Sequence, residues 1–243
     1  MMKRWDKISY WTGVSILIPL SLLSALVLVT AIAKDCIYMW ANVGWGWRTA
    51  GNYVGMVAGI MAYGVYLLLT LIPRFRNNLK WFMKFTHELT HTLVAIPFFA
   101  QIREFVVKDK ECYVSYKAGR IGYVPITLSP YCIPVYTFML FPFRFWGDGS
   151  YMIIFDALIA FTYTFHLHSF MRQTRFSQSD IQHCGTELSV AFITFVNICV
   201  LSLLVAIPKG GVMNALCRVF WEYPTYILTD FSDWKAEIIQ LIL

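Results

Sequence analysis

From Ile8 to Ala33 the chain carries no Asp, Glu, Lys or Arg, and this uncharged stretch constrains its fold more than any other feature. About 20 apolar residues cross the hydrocarbon core of a bilayer as a helix. The stretch is too long for the apolar region of a signal peptide. It also ends at Lys34-Asp35 without a small-x-small cleavage site. It therefore reads as a retained span, about Val14 to Ala33. Composition extends the conclusion: 58% of the 243 residues are hydrophobic and only 14% are charged. Soluble domains carry about 25% charged residues. The expectation is an all-α membrane protein, a single integral domain over residues 1–243.

Five further spans are expected, giving a bundle of about six transmembrane helices. They run from about Tyr53 to Ile72, Trp81 to Phe99, Pro130 to Phe145, Met152 to Phe170 and Leu188 to Ile207. A Trp-rich loop, Trp40 to Arg48, suits a membrane interface. A basic loop spans Arg74 to Lys80. Phe105–Val107 and Cys112–Tyr116 flank Lys108-Asp109-Lys110 and predict a small β-hairpin. Gly119 and Gly122 read as breaks after it. Residues 212–243 predict interfacial helices anchored by Trp221, Tyr223, Tyr226 and Trp234. The basic residues at the N-terminus and around Arg74–Lys84 favour a cytoplasmic N-terminus.

The net charge of +6 is scattered over short loops, as expected of residues flanking spans, and no basic run predicts nucleic-acid binding. The lipid bilayer and a membrane protein or peptide are the partners expected. The six cysteines contain no C-x-x-C pair, which argues against a zinc ribbon or a dithiol redox site. Cys132 and Cys199 read as small core residues, whereas Cys36 and Cys112 could face an oxidising compartment.

Within the third apolar segment stands His87-Glu88-Leu89-Thr90-His91. Ionisable residues at membrane depth are costly and mark function. Residues four apart on a helix share a face, so His87 and His91 can grip one Zn²⁺. Glu88 is then placed to take a proton from a zinc-activated water. This pattern predicts a zinc metallopeptidase, a hydrolase with Glu88 as general base.

A catalytic zinc site needs a third protein ligand. Asp180 is the first choice, at the junction of the polar break Met171–Asp180 and the last span. The same Ser177-x-x-Asp180 also reads as a helix cap. Asp156 is the alternative, a carboxylate in apolar surroundings. His166 and His168 are two apart on a helix, so at most one could join the site. His183 and Glu187 share a helical face with Asp180 and could support it.

A His-Glu-x-x-His motif in an apolar helix, then a hairpin, then a late helix opened by an aspartate, resembles the site-2 protease family of intramembrane zinc metalloproteases. The resemblance covers residues 74–207. It implies His87 and His91 as zinc ligands, Glu88 as base and Ser179-Asp180 in place of the family's aspartate. It also implies that a substrate strand pairs with the hairpin. The family's Leu-Asp-Gly motif is absent, and Thr90 and Thr92 replace its usual Gly and Ala, marking a divergent member. Intramembrane proteolysis is the activity implied; the short chain without a eukaryotic targeting signal separately predicts a bacterial cytoplasmic membrane. An inactive zinc-binding scaffold and a His/Asp-lined transporter are the alternatives.

Overall fold

The computed structural model describes residues 4–37, 47–108, 111–145 and 151–229. The loop from Trp40, the turn residues 109–110, Trp234 and the side chain of Cys36 lie outside the described residues. The described fold is helical with one two-stranded sheet. Its helices are α1 (Arg4–Ala31), α2 (Trp47–Leu69), α3 (Pro73–Ala95), α4 (Arg120–Leu128), α5 (Val135–Leu140), α6 (Met152–Gln173), α7 (Ser179–Cys184), α8 (Thr186–Ala206), α9 (Gly211–Cys217) and α10 (223–229). Strands β1 (Gln101–Val107) and β2 (Cys112–Lys117) lie between α3 and α4.

Among the described residues, three helices are long and apolar enough to cross a membrane: Lys7–Lys34, Met152–Gln173 and Thr186–Lys209. A fourth candidate is the pair Arg120–Tyr131 and Val135–Arg144, which bends by 92°. The span expected over Pro130–Phe145, with Pro134 and Pro142 interrupting it, is thus part of a broken element. Pro130 and Pro134 each lack an N–H, so the helical ladder cannot continue through them. The apolar part of α2, Tyr53–Leu69, is shorter.

Helix α3 begins at Pro73, not in an apolar segment near Trp81. Ile72 is extended and Pro73 occupies the first turn, where a missing N–H costs nothing. The expected basic loop Arg74–Lys80 is therefore the start of this helix. Two stripes of α3 are buried. Leu79 and Met83 pack with Tyr63 of α2 and Phe165 of α6, and Thr86 and Thr90 continue that stripe. Glu88, His91 and Ala95 form the other stripe.

The long helices pair as α1 with α8 and α2 with α6. The second pairing depends on small residues. A Cβ at Gly55 would meet the Ile153 carbonyl, and one at Gly59 the Ala157 carbonyl. This G-x-x-x-G stripe lets the two backbones touch. Gly59→Leu is expected to wedge α2 from α6 and cost on the order of 1–3 kcal/mol. Gly64→Leu, where nothing lies within 4 Å, serves as the neutral control in detergent unfolding.

The tail does more than lie at a surface. Val212, Ala215, Val219 and Tyr223 are buried in the largest core cluster with Val27, Ile159 and Leu203. Tyr223 is thus a core residue, whereas Trp221 stays exposed. Gly122 does not break structure either. It lies inside α4, where a Cβ would strike the Phe98 ring. The five cysteines with described side chains are free, and Cys132 is buried as expected.

Candidate metal centre

His87 and His91 stand one turn apart on α3, with ring centroids 5.1 Å apart. Asp180 meets them from α7. Its Oδ2 lies 3.6 Å from His87 Nε2 and 3.7 Å from His91 Nε2. One ligand atom from each of the three lies within 4.8 Å of the others, a group that could hold a metal ion. Two imidazoles and one carboxylate, with both ring nitrogens aimed at the carboxylate, form a donor set that suits such an ion.

Each side chain is held from behind. His91 Nδ1 lies 2.8 Å from the Ile126 carbonyl, which sets the tautomer that leaves Nε2 free. Pro130, four residues on, has no N–H to give that carbonyl, which also accepts from the Ser129 N–H and hydroxyl. The acceptor that orients His91 thus lies at the start of the break in the bent span. Asp180 is held by Tyr131, whose hydroxyl donates to Oδ2 at 3.0 Å and also lies 3.1 Å from Gln178 Oε1. Burial pushes the Asp180 carboxyl up, but the two imidazoles outweigh it and hold the group well below the usual carboxylate range.

Asp180 does not act as a cap. The residue before α7 is Gln178, and no side chain caps the helix. Ile181 and Cys184 are buried, and Cys184 seats α7 against the core around Leu128, Tyr131 and Cys132. Gly185 then ends the helix at φ +86, and a Cβ there would collide with the Tyr10 ring. Because of this break Glu187 does not share a face with Asp180. It hydrogen-bonds Tyr10 of α1 instead. His183 remains at the cleft.

Asp156 is not brought to the group. It is buried against Arg144, with Nε to Oδ1 at 2.9 Å, and that guanidinium also reaches the Pro208 carbonyl. His168 is occupied by the Tyr63 hydroxyl at 2.8 Å. His166 is buried and is not one of the three grouped ligands.

Glu88 is buried beside the two histidines and Asp180, and the Val114 backbone N–H acts on its carboxylate. Register explains why that N–H is available. Lys108 N–H bonds to Glu111 O at 2.8 Å, and the ladder continues through Val107↔Cys112, Val106↔Tyr113 and Phe105↔Val114. Antiparallel pairs alternate between bonded and non-bonded, so Cys112 and Val114 direct their backbone groups away from β1. A bulge between Ile102 and Glu104 follows. The outer edge of β2 thus lines one open cleft with His87, Glu88, His91 and Asp180.

No protein-family model, curated protein or solved structure matches this chain.

Sequence reasoning missed Tyr131 and the Ile126 carbonyl. The Ser129-Pro130-Tyr131 break was the available signal for both. The hydroxyls of Thr90 and Thr92 bond the carbonyls of Thr86 and Glu88 within α3, so these two threonines need no partner elsewhere.

Proposed function

We propose that this chain is a membrane-embedded zinc endopeptidase, with His87, His91 and Asp180 as metal ligands and Glu88 as general base. The observation that carries the reading is the convergence of Asp180 on the two motif histidines, from a helix about ninety residues further along the chain. Such a group is inexplicable as helix decoration, since buried ionisable clusters are expensive. Membrane embedding is supported by the three long apolar helices and by exposed Ile16, Leu22, Leu26 and Val29 along α1.

When bound, zinc would lower the pKa of a water toward about 7 and polarise a substrate carbonyl. Glu88 accepts a proton at a carboxylate oxygen from the attacking water in the cleft. It then delivers that proton to the leaving amine. The Val114 N–H steadies its carboxylate beside the strand edge. The free edge of β2 holds an extended substrate segment by backbone hydrogen bonds, which suits a substrate helix that must unwind before cleavage. A bacterial cytoplasmic membrane is the proposed setting.

The test is hydrolysis of a transmembrane peptide co-reconstituted in liposomes. Chelation should abolish cleavage, and stoichiometric zinc should restore it. Cleavage that survives full metal removal would sink the reading. Val114→Pro removes a cleft-facing N–H without taking a bond from the β1–β2 ladder. It should slow cleavage roughly tenfold, about one hydrogen bond. Unchanged cleavage by that variant would dismiss both roles of the Val114 N–H, beside Glu88 and as a contact for the substrate strand.

A further inference from the structure

A small chamber lies behind the metal centre, between α3, the Pro130–Val135 break and α6. His87, Thr86 and Thr90 form one wall, and His166 and Ser169 the opposite one. It has room for about one or two water molecules. His166 is 8% exposed, and its Nε2 is buried with no hydrogen-bond partner among the described residues. Leaving such a nitrogen unsatisfied costs about 1–3 kcal/mol, so native structures rarely tolerate it.

His87 also has one ring nitrogen without a protein partner among the described residues. Its Nε2 faces Asp180, whereas no hydrogen bond to its Nδ1 exists among the described residues. His91, the other ligand, has the Ile126 carbonyl in that role. Metal-binding imidazoles almost always give the second ring N–H to a carboxylate, a carbonyl or water. One ligand is thus oriented by protein, and the other lines a polar chamber whose far wall offers an unpaired acceptor.

We propose that the chamber binds a structural water that accepts the Nδ1–H of His87 and donates to His166 Nε2, making His166 a positioning residue for the metal centre. The water sits on the side of His87 away from the substrate cleft. His166 therefore tunes how His87 presents Nε2 without touching substrate. The inference rests on the metal-centre reading above, and the two fail separately.

The experiment measures affinity for zinc by chelator competition, and the Co²⁺ absorption spectrum, on the purified full chain in detergent. His166→Phe should weaken zinc binding 10–100-fold, the usual effect of losing such support. His166→Gln, which keeps an acceptor, should recover most of the loss. Ser169→Leu fills the chamber from the far wall and should weaken binding in the same direction, deciding the matter if His166→Phe does not fold. Wild-type affinity and an unshifted Co²⁺ spectrum in the variants that fold would overturn the bound-water role while leaving the metal centre intact. Wild type that binds no zinc, as expected for His91→Ala, overturns both.

Discussion

Glu88→Gln is expected to retain a full complement of zinc and to lose hydrolysis by a factor of about 10²–10⁴, the usual contribution of a general base. The amide is nearly isosteric and can still meet the Val114 N–H through its oxygen. It cannot take a proton, however. The ligand atoms belong to His87, His91 and Asp180, so metal content should not change. Zinc analysis and single-turnover cleavage on the same preparation separate the two effects. The combination discriminates among functions as well as mechanisms. A zinc-holding scaffold or a metal transporter would keep both its metal and its phenotype in this variant. A variant with wild-type turnover would refute Glu88 as the base.

The motif was legible because its chemistry is local. His87 and His91 are four apart, and any helix through them gives the geometry now seen. Asp180 was legible as one option because a carboxylate where a polar break meets an apolar segment can point back into the bundle. Sequence could not separate ligand from cap, since that choice depends on where α7 docks. Docking is set by Cys184 against Leu128 and Cys132, contacts between distant segments. The fate of Asp156 was hidden for the same reason: its partner Arg144 lies across a helix junction. Span reading was coarser still. Pro130 and Pro134 fall within an apolar run, and hydropathy averages over the 92° bend they introduce. The count of about six therefore becomes three long apolar helices, one bent pair and the shorter α2 among the described residues. Gly55 and Gly59 had a readable small-residue spacing, but only the position of α6 shows which surface they serve.

The two carboxylates that sequence offered as third ligand should separate cleanly. Asp180→Ala removes one of three donors. It should reduce zinc affinity by more than the roughly 100-fold upper range for outer-shell changes. Its side chain is 25% exposed, so the fold should survive. Asp156→Ala should do the reverse. Arg144 is 2% exposed, and removing the carboxylate breaks a buried ion pair at its guanidinium. Breaking such a pair costs about 3–5 kcal/mol. Zinc stoichiometry should stay at the wild-type value in the fraction that remains folded. Restoring an apolar match with Arg144→Met and Asp156→Leu together should return much of the lost stability, because well-packed apolar groups can replace a buried ion pair at little cost. Metal analysis and denaturant unfolding of the three variants check both halves. If Asp156→Ala emptied the site while Asp180→Ala kept its zinc, the assignment of ligands would be reversed. The convergence of Asp180 on His87 and His91 would then be an ordinary polar contact.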